Sequence, residues 1–288
     1  MKADEINIRD PFVFVEDGTM YLVGTTTIRE GKKRIHGFLG YSSKDMENFE
    51  GPFLLFKACK GFWGKVDFWA PEIHKINGKY YMFATFKSRF KRRASQALVC
   101  DTPFGEYKPL RKPFTPSKWE CLDATVYEED GKIYTIFCHE WLQVQDGEMV
   151  AAPLTDDMCD LAEKPTLLFK ASEAPWTRCF RGKYNFITDG PFIYKLKDGK
   201  LLMLWSSNGE FGYAMGMSIS ESGSIKGPWT HIPEPLFKQN GGHGMFFKFN
   251  DKVYVSLHYP NNPNGMERPL FIEVEENGDK LELLNHVY

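Results

Sequence analysis

The sequence predicts an all-β protein: a five-bladed β-propeller with four antiparallel strands in each blade, forming one domain over residues 1–288. Three observations predict it. A hairpin pattern recurs five times, each copy carries a tight-turn dipeptide, and long helical periodicity is absent. A chain of 288 residues could also form two domains, but one propeller of this size buries a full core.

The five hairpin segments each combine an alternating strand, a turn and a second apolar strand. They are RDPFVFVEDGTMYLVGT from Arg9, WAPEIHKINGKYYMFAT from Trp69, LDATVYEEDGKIYTIFC from Leu122, TDGPFIYKLKDGKLLMLWS from Thr188 and GHGMFFKFNDKVYVSLH from Gly242. Their turn dipeptides (DG, NG, DG, DG and ND) favour the positive φ angles of tight hairpin turns. The segments therefore predict one inner hairpin for each blade.

One residue at the entrance of each hairpin serves as an equivalent anchor. The anchors are Asp10, Ala70, Asp123, Asp189 and His243. They are separated by 60, 53, 66 and 54 residues, and 46 residues run from His243 to the end. Units of this length suit four-stranded propeller blades. A β-sandwich with similar hairpins is the alternative, but it does not explain why the same entrance position recurs.

Net charge and hydropathy limit the partners. A formal charge of −2 and a pI near 6.4 argue against nucleic-acid or anionic-membrane binding. One basic run, Lys87 to Arg93 (KSRFKRR), reads as a solvated loop, with ligand or partner contact as the alternative. No apolar stretch is long enough to cross a bilayer, and the first residues lack a secretory signal. We expect a cytoplasmic protein, unless a signal was removed; the sequence does not indicate an oligomeric state.

The cysteines and aromatic residues are typical of a β-rich core. The cysteines show no C-x-x-C pair or metal-finger spacing and are expected to be reduced core thiols: Cys59, Cys100, Cys121, Cys138, Cys159 and Cys179. Aromatic residues make up 15% of the chain, which suits both β-rich folds and sugar-binding surfaces.

The anchors also predict a site. The first strand of each blade runs along the propeller axis, so the residues that open these strands meet at one mouth of the channel. Asp10, Asp123 and Asp189 would then converge, repel one another and lose solvent, which raises at least one pKa. Glycoside hydrolysis needs such a set, because one carboxylate must be ionised while another holds a proton.

Five motifs, in this order and spacing, resemble glycoside hydrolase family 43. They are RDP from Arg9, WAPE from Trp69, LDATVY from Leu122, TDGPFIYK from Thr188 and GGHGMFF from Gly241. This family consists of five-bladed propellers and includes β-xylosidases, α-L-arabinofuranosidases and endo-arabinanases. The resemblance extends over essentially the whole chain.

The resemblance implies a role for each anchor that carries a polar side chain. Asp10 would be the general base, Asp123 the carboxylate that tunes and orients the acid, and Asp189 the general acid. The family inverts the anomeric centre, which implies that base and acid stand roughly 6.5 to 9.5 Å apart. His243 would lie in the axial channel near a water or a structural calcium ion, with no cofactor required for the chemistry.

One residue departs from the family pattern. Better-known members carry Glu at the acid position, whereas this chain has Asp189, which is one methylene shorter. Glu140 is the first substitute as proton donor, followed by Glu72 and Glu210. An unusual substrate or weak activity is the other explanation.

Four residues are predicted substrate contacts: Trp69, Glu140, His243 and Arg268. An indole ring stacks on the apolar face of a sugar, although Trp69 could instead pack between blades. Arg268 could reach a substrate hydroxyl or form a salt bridge at the rim.

The predicted function is an inverting glycosidase in xylan or arabinan degradation, with exo-acting α-L-arabinofuranosidase or β-xylosidase favoured. A cytoplasmic enzyme would meet mainly short oligosaccharides, which favours exo action. The alternatives are a non-catalytic carbohydrate-binding propeller and a retaining, fructan-cleaving propeller hydrolase.

Overall fold

The computed structural model describes residues 1–278 and 280–284 and shows five antiparallel sheets of four strands each, as the sequence predicts. Each sheet is built from one continuous stretch of chain. Blade 1 and its added hairpin, β3–β4, contain β1 (Arg9–Glu16), β2 (Thr19–Thr25), β3 (Ile28–Glu30), β4 (Lys33–Ile35), β5 (Gly37–Ser43) and β6 (Phe49–Lys57). Blade 2 contains β7 (Val66–Ile76), β8 (Lys79–Ser88), β9 (Lys91–Cys100) and β10 (Lys108–Pro109).

The remaining blades repeat the arrangement. Blade 3 contains β11 (Cys121–Glu129), β12 (Lys132–His139), β13 (Glu148–Pro153) and β14 (Thr166–Lys170). Blade 4 contains β15 (Asp189–Lys195), β16 (Leu201–Gly209), β17 (Gly212–Ser220) and β18 (Trp229–His231). Blade 5 contains β19 (Gly242–Phe249), β20 (Lys252–Tyr259), β21 (Arg268–Asn277) and β22 (Lys280–Leu283).

Helical segments are short. They are a helix, α1 (Trp141–Val144), and two 3₁₀ turns, Ala3–Glu5 and Ala171–Glu173. Among the described residues, no helix has the length and apolar character needed to cross a bilayer.

Four of the five predicted hairpin turns are tight two-residue turns. Both central residues have positive φ at Asp17–Gly18, Asn77–Gly78, Asp130–Gly131 and Asn250–Asp251. The fourth hairpin differs, because Lys195 pairs with Leu201 and the loop between them is longer. There the Leu196 amide donates to the Lys200 carbonyl, and the Asp198–Gly199 dipeptide lies within this larger turn.

Each inner strand has a β-bulge at its entrance, where the ladder register shifts. In every blade the first residue of the bulge, directly after the paired residue at the strand entrance, has a positive φ: Asp10 (52°), Ala70 (41°), Asp123 (55°), Gly190 (50°) and His243 (50°). The fourth anchor predicted from the sequence is therefore wrong by one residue. Gly190 occupies the bulge, and Asp189 is the paired residue before it.

The bulges join neighbouring blades through one repeated hydrogen bond, in which the amide of the bulged residue donates to the preceding blade. The pairs are Ala70 to Thr25 Oγ1 (2.8 Å), Asp123 to Thr85 Oγ1 (2.9 Å), His243 to Ser206 Oγ (2.8 Å) and Asp10 to His258 Nδ1 (3.2 Å). Each acceptor lies on the second strand, opposite the bulge of its own blade. We call this bond the inter-blade latch.

The junction between blades 3 and 4 is the exception. Cys138 occupies the acceptor position there, because it pairs with Leu122 beside the bulge. Thiols are weak acceptors. The Gly190 amide donates instead to Asp123 Oδ2 at 3.2 Å, so the latch of this junction ends on a carboxylate.

The first residues of the chain seal the ring between blades 5 and 1. Ile6 and Ile8 are each 1% exposed and pack in the core cluster that includes Phe49 and Phe249. The Ile8 amide donates to the Glu267 carbonyl at 3.3 Å. Within the described part of the chain the two blades share no strand, so these apolar side chains close the ring together with the latch from Asp10 to His258.

Aromatic residues fill the spaces between the blades. Phe38, Phe56, Phe68 and Phe86 form one cluster with ring centroids 5.0 to 6.3 Å apart. All six cysteines are free thiols. The prediction that all lie in the core is wrong for half of them: Cys59 is exposed, and Cys100 and Cys179 are partly exposed.

Candidate active site

The mouth of the channel opens into a cavity of about 490 Å³ whose walls come from all five blades. Six residues predicted from the sequence line it: Asp10, Trp69, Asp123, Glu140, Asp189 and His243. The bulges explain part of this convergence, because the left-handed backbone at Asp10, Asp123 and His243 redirects these side chains out of the regular pleat.

His243 lies between two of the carboxylates. Its Nδ1 is 3.1 Å from Asp10 Oδ1 and 3.7 Å from Asp123 Oδ2. Burial lowers the pKa of His243, but the charges of Asp10, Asp123 and Asp189 outweigh burial and raise the pKa above its ordinary value. The three carboxylates therefore favour the protonated form of His243.

Gly190 is required where this imidazole packs. A Cβ at this position would lie 2.6 to 2.8 Å from three ring atoms of His243. Its φ of 50° also favours glycine over other residues. The TDG sequence at Thr188 thus combines a carboxylate that faces the cavity with a glycine that accommodates His243.

Asp10 is held as an ionised carboxylate. Burial raises its pKa, but His243 and Arg9 outweigh that effect and hold the pKa below its usual range. The Thr25 hydroxyl donates to Asp10 Oδ2 at 2.6 Å and also accepts the latch from Ala70. One side chain thus orients the carboxylate and joins two blades.

The pKa values of Asp123 and Asp189 are raised, in contrast to that of Asp10. Burial, together with the charges of Asp189 and Asp10, raises the pKa of Asp123 to about 8 despite His243. Burial also raises the pKa of Asp189, against the opposing effects of His243 and of Tyr213, whose hydroxyl donates to Asp189 Oδ2 at 3.0 Å. The cavity thus contains an ionised carboxylate and a coupled pair that retains a proton at higher pH.

His258 supports Asp10 from the fifth blade. Its Nδ1 accepts the Asp10 amide hydrogen, so its proton is on Nε2, which donates to Asn261 Oδ1 at 3.0 Å. Burial, assisted by the positive charges of Arg9 and His243, lowers the pKa of His258 to about 4. This histidine is neutral and acts as an acceptor.

Glu140 and Trp69 form one wall through a shared arginine. The Arg93 guanidinium forms ion pairs with Glu140 and with Asp67, the latter at 2.9 Å, and lies 4.5 Å from the centre of the Trp69 ring. Burial raises the pKa of Glu140, and Arg93 opposes this by favouring the ionised form. Neither Arg93 nor Asp67 was predicted as a site residue.

The opposite wall also consists of residues that the sequence analysis missed. Arg9 Nη1 is 3.0 Å from Glu267 Oε1, and Arg9 Nη2 donates to Asn261 Oδ1 at 2.7 Å. Glu267 is 3% exposed and lines the cavity with Asn7. Two features of the sequence could have indicated further site residues. One is the RDP motif at Arg9, and the other is the final residue of each repeat: Thr25, Thr85, Cys138, Ser206 and His258.

Three predicted residues lie elsewhere. Arg268 does not line the cavity, because its guanidinium donates to the Asp4 and Glu267 carbonyls at 2.6 and 2.8 Å. Glu210 is exposed at the turn between β16 and β17. Glu72 lies below the cavity in the channel, where it bonds His74 at 2.8 Å.

The surroundings of His243 do not fit a metal ion. The channel space beneath its ring is about 10 Å³, the size of a single water site. Calcium requires roughly six to eight oxygen ligands. Within residues 1–278 and 280–284, no group of three or more His, Cys, Asp or Glu side chains is placed to hold a metal.

Comparisons with known proteins agree with this geometry. The sequence pattern of Glycosyl hydrolases family 43 matches residues 5–275, and the chain belongs to that family. A solved endo-arabinase from Bacteroides thetaiotaomicron VPI-5482 is 38% identical, with a TM-score of 0.88 over 97% of this chain and 98% of that one.

Two more distant relatives act on related sugars. The extracellular exo-α-(1→5)-L-arabinofuranosidase of Streptomyces chartreusis is 27% identical over 62% of this chain, and the match spans only 57% of that protein. A β-xylosidase/α-arabinofuranosidase from a compost metagenome, solved with xylotriose in a calcium-free form, shares the fold at 18% identity and a TM-score of 0.76, over 99% of this chain and 96% of that one.

The Cys138 exception gives a test of how Asp123 is held. In Cys138→Ser a hydroxyl can accept the Gly190 amide, as Ser206 accepts that of His243, so Asp123 loses a bond that stabilises its ionised form. We expect the pKa of Asp123 to rise by about 0.5 to 1 unit. The measurement is a pH titration of the Asp123 carboxyl carbon by NMR. Cys138→Ala supplies no acceptor and should leave the pKa unchanged; equal shifts in both variants would contradict this account.

Proposed function

We propose that this chain is an inverting glycoside hydrolase that acts on arabinose- or xylose-containing oligosaccharides. The observation that carries the proposal is the electrostatic division of the cavity: Asp10 has a lowered pKa, whereas Asp123 and Asp189 have raised ones. An inverting hydrolase needs such a division between base and acid.

In the proposed reaction Asp10 accepts a proton from water as the water oxygen attacks the anomeric carbon. The bond to the leaving oxygen breaks, and Asp189 donates its proton to that oxygen. Asp123 is 3.7 Å from His243 Nδ1 and accepts the Gly190 amide, and in this reaction it is the third carboxyl group, which orients and tunes the neighbouring acid. Exchange with solvent then restores both protonation states.

Asp189 is favoured over Glu140 as the proton donor. Burial raises the pKa of Glu140 as well, but its carboxylate is ion-paired with the buried Arg93, and a guanidinium partner stabilises the carboxylate form. Asp189 forms no ion pair with an arginine among the described residues, although the charge of Arg9 opposes the rise of its pKa, and the Tyr213 hydroxyl donates to it. The remaining substitutes, Glu72 and Glu210, lie outside the cavity.

The first candidate function is exo-acting hydrolysis, and the second is endo-acting hydrolysis of arabinan. The proposed cytoplasmic location favours short oligosaccharides and hence exo action. The endo-arabinase that is 38% identical over nearly the whole chain favours the second candidate. The products from linear arabino-oligosaccharides separate them, because an exo enzyme releases only the terminal unit.

Substitution of the two carboxylates tests the reaction. We expect Asp10→Asn to reduce hydrolysis of every substrate by about 10²- to 10⁴-fold, because water is no longer deprotonated. Asp189→Asn should impair oligosaccharides far more than nitrophenyl glycosides, whose leaving group needs little protonation. Initial rates on nitrophenyl pentosides and on arabino- and xylo-oligosaccharides check this.

Glu140→Gln is the matched control for the proton donor. If it shows the leaving-group dependence and Asp189→Asn does not, the donor is Glu140. If the wild type binds these sugars but cleaves none, the chain is a binding propeller.

The pH profile should respond to Tyr213→Phe. The lost hydroxyl stabilised ionised Asp189, so the pKa of Asp189 rises and the acid keeps its proton to higher pH. We expect the alkaline limb of kcat/KM to move up by about 1 unit while the acid limb, set by Asp10, stays in place. A downward shift of the alkaline limb would contradict the assignment.

Removal of calcium should not change the rate. A calcium ion in the channel would be structural, and His243 already bonds Asp10 there, so the proposed steps involve only side chains and water. The measurement is hydrolysis of a nitrophenyl arabinofuranoside after dialysis against EDTA. A loss of activity that calcium chloride restores would instead indicate a calcium ion next to His243.

A further inference from the structure

A second cavity lies on the rim between blades 2 and 3. It measures about 570 Å³ and is called the outer groove; its lining includes Trp63, Phe90 to Arg92, Lys112 to Ser117, Trp119 and Leu161. The basic run noted in the sequence forms its edge at the turn between β8 and β9. This turn is at the mouth end of the propeller, since β8 ends there beside the entrance of β7.

The outer groove is separate from the catalytic cavity, and one strand forms the partition. Side chains alternate along β9, so Arg93 faces Trp69 and Glu140 in the catalytic wall while Arg92 and Ala94 line the groove. The Arg93 amide donates to Glu120 Oε2 at 2.9 Å, which fixes the partition. A ligand could thus occupy the groove without entering the catalytic cavity.

The groove presents aromatic rings to solvent. Phe90 is 89% exposed, the highest value among the exposed large apolar side chains. Trp119 is held by stacking on His139, with ring centroids 4.1 Å apart and planes at 6°. Exposed apolar surface beside a cavity marks a binding site, and aromatic rings suit the C–H faces of sugars.

The groove also carries excess positive charge on a chain whose net charge is −2. Five cations lie in or beside it: Lys87, Arg89, Lys91, Arg92 and Lys112. Only two carboxylates compensate them, because Glu120 is shared by Lys87 (3.4 Å) and Arg92 (3.6 Å) and Asp160 pairs with Lys112. Lys91 has no carboxylate partner among the described residues and lies 5.7 Å from the centre of the Trp63 ring.

We propose that the outer groove is a second carbohydrate-binding site and that it takes an acidic oligosaccharide. Uronate carboxylates would pair with Lys91 and Arg92, while the sugar faces pack on Phe90 and Trp119. A neutral sugar would leave Lys91 without a carboxylate partner, and a small inorganic anion would leave the aromatic rings uncovered. The site is independent of hydrolysis, so the proposal holds whatever the catalytic cavity does.

Binding of charged and neutral sugars tests the proposal directly. Trigalacturonate and a glucuronate-bearing xylo-oligosaccharide are titrated into the wild-type protein by calorimetry, with xylotriose and inorganic phosphate as comparison ligands. We expect saturable binding of at least one uronate, weakened by added salt because exposed ion pairs are screened. Phosphate should not displace it at equal concentration.

Three variants locate the binding. Lys91→Ala with Arg92→Ala should weaken uronate binding at least tenfold, and Phe90→Ala should weaken it severalfold. Phe211→Ala, which removes a 63% exposed ring on the distant turn of blade 4, is the matched control and should have no effect. All three should keep the wild-type circular dichroism spectrum and melting temperature, which report correct folding whatever the catalytic cavity does.

Two results would overturn the proposal. One is uronate binding that the Lys91 and Arg92 substitutions leave unchanged, which would place it elsewhere. The other is binding of xylotriose with equal affinity, or of phosphate in competition, which would indicate a neutral-sugar subsite or a simple anion patch.

Discussion

The inter-blade latch is the interaction on which the rest of the structure depends. A backbone amide in left-handed conformation points sideways into the preceding blade, and in three blades the same bulge turns a side chain (Asp10, Asp123 or His243) toward the channel mouth. Each latch in isolation contributes about 0.5 to 1.5 kcal/mol. Its larger consequence is geometric, because it fixes the angle between two sheets and the position of one site side chain together.

Electrostatics in the cavity depends on this geometry. Asp123 is buried and Asp10 and Asp189 are partly buried, so three ionised carboxylates there would repel one another strongly, and this repulsion favours protonation of His243. The ring of blades holds them together through covalent connections and apolar packing far from the site. The unequal pKa values of Asp10 and Asp123 are therefore maintained by the fold. Packing elsewhere in the protein offsets the unfavourable free energy of desolvating these carboxyl groups.

The fold was predictable because its signal is local. Alternation and turn dipeptides lie within each repeat, and they identify five hairpins without any long-range information. The site was predictable only in part. Asp189 was placed on the bulge because it resembles Asp10 and Asp123 in type, whereas backbone conformation selects Gly190.

Long-range contacts explain the other differences. Arg268 was expected at the cavity, but the position of its guanidinium is set by Asp4, which is at the other end of the sequence. Arg93 and Glu267 reach the cavity through chain segments whose placement no periodicity reveals. Thr25 and His258 are the last residues of their repeats in the sequence. Their role as hydrogen-bond acceptors could not be predicted, because the sequence does not show which backbone amide faces them.

The seal between the first and last blades has a consequence for how this enzyme tolerates change. Asn7 and Arg9 line the sugar cavity, while Ile6 and Ile8 alternate with them and hold the ring shut. Four consecutive residues thus contribute both to the lining of the cavity and to the packing that closes the ring of blades. Adaptation to a new substrate through this stretch would be coupled to loosening of the whole ring, so new specificity is more easily acquired on the opposite wall, around Trp69.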